Sequence, residues 1–255
     1  MKLTIDTDEK RIFLQEGNGS RQIDLYSKEA FELMSGLWLK VGWNEKYSYT
    51  FSWMGLPIIQ LPEDIVRVQE VIYRVKPDVI VETGVARGGS LMFYASLCRS
   101  IGKGRVIGID IDIHPSNRKA IEDHDLATYI TLVEGNSIAP ETVAHVKSLV
   151  GEEQGVMVLL DSNHTYDHVL AELEAYHGLV SPGSYVVATD GIMRDLSDTP
   201  RGDPAWTSDN PAQAALDFAQ RHTEFTLEQP EWFFNESDLQ HNITYWPQAY
   251  LKRVR

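Results

Sequence analysis

The stretch that decides the fold is residues 79–90, which read VIVETGVARGGS. Three β-branched residues predict a short buried strand, and the glycines after them predict a tight turn into a helix from about Ser90. Backbone N–H groups at a helix N-terminus carry partial positive charge, which favours an anionic ligand group. The stretch therefore predicts a ligand-binding loop, with a tight structural turn as the alternative.

Short apolar runs and helical stretches alternate on both sides of this turn. A helix is predicted at 63–76, where Ile65, Val68, Ile72 and Val75 recur at steps of three and four. The strands are apolar on both faces and are followed by helices, which is typical of an α/β fold with a mostly parallel, doubly wound sheet. The predicted strands are 79–81, 106–109, 130–133, 156–160 and 185–189, and the helices after them begin near 90, 115, 140, 166 and 211.

The first 60 residues follow a different pattern. Residues 1–15 alternate like a small hairpin, and a helix is predicted over 27–40 with Ser27 as its N-cap. The aromatic-rich stretch 38–53 suits a ligand pocket or a subunit contact, with simple packing as the alternative. We take 1–60 as an N-terminal extension and 61–255 as the main domain.

The C-terminal region predicts a long loop and then added strands. Residues 194–210 are rich in Asp, Pro, Ser and Thr, and long loops in compact domains are usually functional. The runs at 225–227, 243–246 and 250–254 are predicted to add antiparallel strands to the sheet.

Composition excludes several classes of protein. The formal net charge of −14 over 255 residues would repel a phosphate backbone, so a nucleic acid is not expected as a partner. No signal peptide is recognisable, and no apolar run reaches the roughly 18 residues of a membrane span. With Cys98 as the only cysteine, the sequence predicts a cytoplasmic protein without a membrane partner.

The glycine turn itself argues against two common nucleotide sites. Ala86 stands at the second glycine position of G-x-G-x-x-G, and the Lys-Ser/Thr of a P-loop is missing. Glu82 at the strand tip would repel a pyrophosphate, yet it can accept a hydrogen bond from an ammonium group. A carboxylate that accepts from an ammonium group, beside backbone N–H groups that donate to a carboxylate, suits the amino-acid end of S-adenosylmethionine.

Polar residues at the next two strand ends extend this predicted site. Asp110 stands about 26 residues beyond Gly84, where a carboxylate can accept both hydroxyls of an adenosine ribose. Asn136 and Ser137 follow the third strand, where a contact with the adenine edge is expected. Their alternative role is a loop that opens the helix at Pro140.

Two further strand ends carry the aspartates Asp161 and Asp190. Parallel strands place both at the ligand edge of the sheet, and two oxygen ligands with room for water suit Mg²⁺. A metal held there can lower the pKa of a substrate hydroxyl, and His164 could act as general base. The alternative for His164 is a helix-entry residue bonded to a carboxylate, and His168 is expected to be a solvated helix residue.

These motifs resemble the rhamnosyl O-methyltransferase and cephalosporin hydroxylase family, within the catechol O-methyltransferase-like class. The resemblance covers roughly residues 35–255, and the combination of E-x-G-x-x-x-G-x-S with a strand-end D-S-x-H is its most specific part. The segments that carry it are WMG at 53–55, QLP at 60–62 with Asp64, PDVIVETG at 77–84, GGS at 88–90, DSNHTY at 161–166 and YLKR at 250–253.

The resemblance implies a Rossmann-like class I methyltransferase fold with an added antiparallel strand, S-adenosylmethionine and Mg²⁺ as cofactors, and a homo-oligomer. His164 stands where the catechol enzymes carry a lysine base. Thr189 and Gly191 depart from the pattern, because relatives often have a carboxylate before Asp190 or an asparagine after it; a weaker metal site, or none, is the alternative. The resemblance also implies that Glu82, Gly84 and Ser90 bind the methionine portion of the cofactor and that Asp110 binds its ribose. Asp161 and Asp190 would be metal ligands, and Asp161 would in addition contact the cofactor and take part in catalysis.

The sequence thus predicts an O-methyltransferase that acts on a hydroxyl of a sugar or other small natural product. One alternative is an accessory protein that binds S-adenosylmethionine while a partner oxygenase carries out an oxidative step. Another is an oligomeric scaffold with a vestigial pocket.

Overall fold

The computed structural model describes residues 1–17, 19–152 and 155–255. Within that part of the chain, no helix is both long enough and apolar enough to cross a membrane. The strands are β1 (Lys2–Asp6), β2 (Arg11–Glu16), β3 (Gly19–Asp24), β4 (Phe51–Trp53), β5 (Leu56–Ile58), β6 (Val79–Thr83), β7 (Arg105–Asp110), β8 (Ile130–Glu134), β9 (Val156–Leu160), β10 (Tyr185–Ala188), β11 (Phe225–Leu227) and β12 (Tyr250–Arg253). The helices are α1 (Lys28–Asn44), α2 (Pro62–Val75), α3 (Gly89–Ile101), α4 (Pro115–Glu122), α5 (Pro140–Val150), α6 (Tyr166–Tyr176) and α7 (Pro211–Arg221).

A seven-stranded sheet with the order β11-β12-β10-β9-β6-β7-β8 forms the centre of the fold. Strands β6 to β10 are parallel, and β12 is antiparallel to both β10 and β11. All residues of β6 and β9 are buried, because an apolar cluster covers each face of the sheet. The predicted α/β fold is confirmed, including the added strands near 225 and 250, which pair antiparallel to each other.

The strand predicted at 243–246 is wrong. This segment is irregular, because its polar groups are bonded to residues outside any sheet. The Tyr245 backbone N–H and the Thr244 hydroxyl both donate to the carboxylate of Asp64 in the first turn of α2. The Tyr245 carbonyl accepts from the Ile192 N–H at 3.1 Å. With these groups occupied, no ladder forms.

The N-terminal region packs as a small sheet against α1. The predicted hairpin pairs Lys2 with Gln15, and β3 adds a third strand that the alternation over 1–15 did not include. The Ser27 hydroxyl accepts from the Ala30 N–H at 3.1 Å and caps α1, which continues four residues past the predicted end. The division between 1–60 and 61–255 stays a prediction.

Candidate active site

The glycine turn between β6 and α3 lies against the loop that follows β9. Gly84 has a φ of +93°, and a Cβ built on it would lie 1.9 Å from the carbonyl oxygen of Asp161. A Cβ on Gly89 would lie 2.2 Å from the Pro57 carbonyl oxygen. Only glycine fits at either position. The two glycines therefore let the start of α3 approach the loop that carries Asp161.

Glu82 lies directly beneath this turn and is fully buried. The Ser90 hydroxyl donates to its Oε2 at 2.7 Å, whereas Oε1 has no hydrogen-bond partner of ordinary geometry among the described residues. Burial, reinforced by the nearby Asp161 carboxylate, raises the pKa of Glu82 well above its usual range. A buried carboxylate oxygen without a donor is unfavourable. Glu82 therefore suits a ligand that brings a donor or a positive charge.

Asp110 faces the same turn from the end of β7. Its Oδ2 accepts from the backbone N–H groups of Val85, at 2.9 Å, and Ala86, at 3.1 Å. Its Oδ1 accepts one longer bond, 3.3 Å, from the Asp112 N–H. The Asp110 carboxylate thus fixes the shape of the turn with one oxygen and keeps acceptor capacity on the other, which is compatible with the predicted ribose contact.

The two residues predicted at the adenine edge are placed differently. Asn136 is exposed, and its Oδ1 accepts from the Ile138 N–H at 3.2 Å, which is the geometry of a helix-opening loop. Ser137 is buried, with its Oγ 3.1 Å from Nε2 of His168. His168 also lies 3.3 Å from the buried Glu172, so it belongs to a polar network rather than to the solvated face that was expected. The adenine assignment stays a prediction.

Asp161, His164 and Asp190 meet at the ends of β9 and β10. One ligand atom from each lies within 4.8 Å of the others, and Nε2 of His164 is 3.5 Å from Oδ2 of Asp190. Burial raises the pKa of Asp161, and it raises that of Asp190 to about 7 although His164 opposes the shift. Two buried carboxylates that lie close together have lost solvation and repel each other when charged, and a bound cation would relieve both effects. The oxygen-rich donor set fits Mg²⁺.

Two residues to which the sequence analysis gave no role orient Asp161. The Thr189 hydroxyl donates to its Oδ1 at 2.7 Å, and Gln60 Nε2 donates to its Oδ2 at 3.2 Å. Gln60 is buried, and its side chain also interacts with the buried Tyr94 hydroxyl. The QLP segment was noted only as part of a resemblance, and Thr189 only as a departure from it. The carboxylate pattern alone could not indicate that either contacts Asp161.

The glycine after Asp190 is explained by crowding. A Cβ on Gly191 would lie 2.6 Å from the Pro247 carbonyl oxygen and 3.0 Å from Cβ of Ala212. A larger side chain, such as the asparagine that the resemblance implies here, does not fit without movement of the chain. Asp190 itself is a non-glycine residue with a φ of +56°, and such positions often occur at functional sites.

A cavity of about 190 Å³ lies between the glycine turn and the cluster of Asp161, His164 and Asp190, and we call it the turn cavity. Glu82 and Asp110 lie beside the turn but are not among the residues that line this cavity. A second cavity, of about 230 Å³, adjoins it, and we call it the aromatic cavity. A larger cavity, of about 800 Å³, lies between α2 and residues 232–243, yet it contains none of the predicted site residues, so we place the site at the strand edge. The turn cavity is lined by Gly84, Ser90, Gln60, Asp161, His164 and Asp190, among others.

The fold and this site define a class of protein. A mostly parallel sheet with one reversed strand, β12, next to its edge, and a glycine turn beside strand-end carboxylates, is the Rossmann-like class I methyltransferase fold. Residues 45–254 match the family described as rhamnosyl O-methyltransferase/CmcI. The chain belongs to that family.

Individual relatives agree with this assignment. The rhamnosyl O-methyltransferase of Mycobacterium leprae (strain TN) is 29% identical over 157 residues, which cover 60% of this chain and 65% of the relative. That of Mycobacterium tuberculosis (strain ATCC 25618 / H37Rv) is 29% identical over 141 residues, covering 54% and 56%. The chain thus matches about six-tenths of the length of these relatives. A CmcI structure described with Mg and SAM superposes with a TM-score of 0.54 at 19% identity, covering 81% of this chain and 78% of that one, which shows the shared fold.

Proposed function

We propose that the chain is an S-adenosylmethionine-dependent, Mg²⁺-assisted O-methyltransferase that acts on a hydroxyl of a sugar or other small natural product. The observation that carries the proposal is the turn cavity, where the glycine turn meets Asp161, His164 and Asp190. The names of the mycobacterial relatives and the Mg and SAM of the CmcI structure support the same chemistry.

The cofactor roles follow from the chemistry of each group. Glu82 with its unpartnered Oε1 would accept from the methionine ammonium group, and Ser90 fixes the other oxygen of that carboxylate. Gly84 lines the turn cavity and would contact the cofactor with its backbone, and Asp110 keeps an oxygen for the ribose. These assignments place the sulfonium end near Asp161.

Asp161 and Asp190 would hold Mg²⁺, and Thr189 and Gln60 keep the Asp161 carboxylate in one orientation. When bound, the metal supplies charge that lowers the pKa of the acceptor hydroxyl and fixes its oxygen. The pKa of Asp190, raised to about 7 by burial, is expected to fall on metal binding.

His164 provides the general base. Its side chain lines the turn cavity with Nε2 3.5 Å from Oδ2 of Asp190, and it takes the proton of the acceptor hydroxyl. The hydroxyl oxygen forms a bond to the methyl carbon while the bond from that carbon to sulfur breaks, so the products are a methyl ether and S-adenosylhomocysteine. Asp190 then stabilises the charged imidazolium.

Methyl transfer from labelled S-adenosylmethionine to a panel of deoxysugar glycosides tests the proposal. Transfer should require only this protein, fall on addition of EDTA and fall in Asp161→Asn. Asp125→Asn, which removes an exposed carboxylate that lines neither the turn cavity nor the aromatic cavity, is the control.

Two results would contradict the proposal. Transfer that is insensitive to both EDTA and Asp161→Asn would remove the metal from the mechanism. Cofactor binding with turnover only in the presence of an oxygenase would favour the accessory role instead. A homo-oligomer also stays a prediction, which light scattering of the purified protein measures.

A further inference from the structure

The aromatic cavity adjoins the turn cavity on the side away from the glycine turn. The two cavities share Tyr49, Ile59, Gln60 and Asp190. An acceptor in the aromatic cavity can therefore place a hydroxyl at Asp190, next to the groups that would hold the metal. This position makes the aromatic cavity the acceptor side of the proposed site.

Aromatic rings form much of its wall. Trp43 and Tyr245 pack edge to face with ring centroids 5.2 Å apart, and Trp246 and Tyr49 line the same space. Flat aromatic faces bind the C–H faces of sugar rings and other small cyclic molecules by dispersion and burial of apolar area. Aromatic walls alone would not distinguish a neutral acceptor from a charged one.

Two cationic side chains at the cavity, Arg201 and Lys46, can distinguish a charged acceptor from a neutral one. Nε of Arg201 donates to the Asn44 carbonyl oxygen at 2.7 Å, which fixes the guanidinium near the end of α1. The Lys46 ammonium lies 5.1 Å from the centre of the Tyr49 ring. Within the described residues, neither cation forms an ion pair with a carboxylate. By contrast, Lys40 at a neighbouring position pairs with Asp198 at 2.8 Å.

The net charge of the chain is strongly negative, so two positive side chains at one cavity stand out. Acidic side chains exceed basic ones by 14, and the inner end of the combined site already holds Asp161 and Asp190. An anionic acceptor would be repelled by such a protein unless local cations compensate. Lys46 and Arg201 supply two positive charges at the acceptor cavity, and guanidinium groups bind carboxylate and phosphate with charge-assisted hydrogen bonds.

We propose that the acceptor carries an anionic group, a carboxylate or a phosphate, which Lys46 and Arg201 bind while a hydroxyl of the same molecule lies at Asp190. This inference rests on the proposed function, because it names the class of acceptor for that site. The anionic group anchors one end of the acceptor, and the distance from the cations to Asp190 then selects which hydroxyl is presented.

The test compares matched pairs of small acceptors on the protein saturated with S-adenosylhomocysteine and Mg²⁺. The probes are methyl glucuronoside against methyl glucoside for the carboxylate arm, and glucose 1-phosphate against glucose for the phosphate arm. Binding is followed by calorimetry and by the total tryptophan fluorescence, to which Trp43 and Trp246 in the cavity wall contribute. The variants are Lys46→Gln and Arg201→Gln, with Arg201→Lys to restore the charge and Lys147→Gln as an exposed control on α5.

At least one anionic probe should bind about tenfold or more tightly than its neutral partner. That preference should be lost in Lys46→Gln and Arg201→Gln, be partly restored in Arg201→Lys and weaken as salt is added. The arm that shows the preference identifies the carboxylate or the phosphate as the anionic group. Lys147→Gln should behave as the wild type.

Equal binding of both members of each pair, no binding of either anionic probe, or a preference unchanged in both glutamine variants would overturn the inference. These outcomes leave the proposed function intact when S-adenosylhomocysteine still binds. Failure of S-adenosylhomocysteine to bind the folded protein would overturn the proposed function itself, together with the inference that rests on it.

Discussion

The Thr189 hydroxyl donates a hydrogen bond of 2.7 Å to Oδ1 of Asp161. It also lies 2.9 Å from the Leu160 carbonyl oxygen, but that oxygen already accepts from the Thr189 backbone N–H at 3.1 Å. Because a hydrogen bond to a carboxylate is stronger than one to a neutral carbonyl, the Thr189 hydroxyl donates its proton to Asp161 rather than to the Leu160 carbonyl. The end of β10 thereby sets the orientation of a proposed metal ligand at the end of β9.

Thr189→Val should weaken Mg²⁺ binding about ten- to hundredfold, because it keeps the shape of the side chain and removes the donor that orients Asp161. The affinity for S-adenosylhomocysteine measured without metal should stay the same. Separate calorimetric titrations with Mg²⁺ and with S-adenosylhomocysteine give the two affinities. Thr226→Val, at an exposed position of β11, is the control, and equal Mg²⁺ affinity in the two variants would contradict the role of Thr189.

His164→Gln should lower kcat by about a hundredfold or more, because the acceptor hydroxyl loses its proton acceptor. Cofactor affinity should be retained, and His145→Gln on the exposed face of α5 should leave kcat unchanged. Steady-state kinetics at several Mg²⁺ concentrations distinguish two roles for His164. If high Mg²⁺ restores the rate of His164→Gln, then His164 is a metal ligand rather than the base.

Gly84→Ala should destabilise the fold by several kcal/mol, whereas Gly183→Ala should cost about 1 kcal/mol. Both glycines have positive φ, +93° and +84°, so the substitutions share the backbone strain. They differ in space, because only the Cβ at Gly84 would meet the Asp161 carbonyl oxygen, at 1.9 Å. Urea denaturation measures the difference. Equal losses would mean that the turn does not press against the Asp161 loop.

Asp64 predicts a specific dependence of stability on pH. Burial raises its pKa from 3.8 to about 8, although hydrogen bonds from Thr244 and Tyr245 lower it. The folded state therefore binds this proton more tightly than the unfolded state. The free energy of unfolding should fall as pH rises from about 4 to about 8, by at most about 1.4 kcal/mol per pH unit for one proton, and then level off.

Asp64→Asn should flatten that slope, since the neutral side chain no longer titrates. Urea denaturation of both proteins between pH 5 and pH 8 provides the measurement. The buried Glu82 and Asp190 shift in the same direction, so a reduced slope is expected in Asp64→Asn rather than none. A slope identical to that of the wild type would show that Asp64 is charged throughout this range.

The sequence could predict the elements that depend on local patterns. Short apolar runs such as 156–160 favour buried strands because of their length and β-branched residues, and the 3.6-residue periodicity of α2 marks a core-facing helix. The predicted strand at 243–246 failed because Asp64, 179 or more residues away along the chain, takes its hydrogen bonds. A pattern read over a few residues contains no information about such a partner.

The candidate site divides in the same way. Asp161 and Asp190 could be brought together from the sequence, because carboxyl ends of parallel strands share one edge of the sheet. The contacts of Gln60 and Thr189 with Asp161 depend on side-chain directions in the folded chain, which no spacing encodes. The role of Asn136 could not be predicted either, because an asparagine after a strand is equally typical of an exposed loop and of an adenine contact.

Calorimetric titration of the purified protein with S-adenosylhomocysteine tests the central claim most directly. We expect saturable binding at one site per chain, with the affinity reduced at least tenfold in Glu82→Gln, because the substituted side chain lacks the charge that would face the ammonium group. Absence of binding to protein that circular dichroism shows to be folded, or undiminished binding in Glu82→Gln, would contradict it.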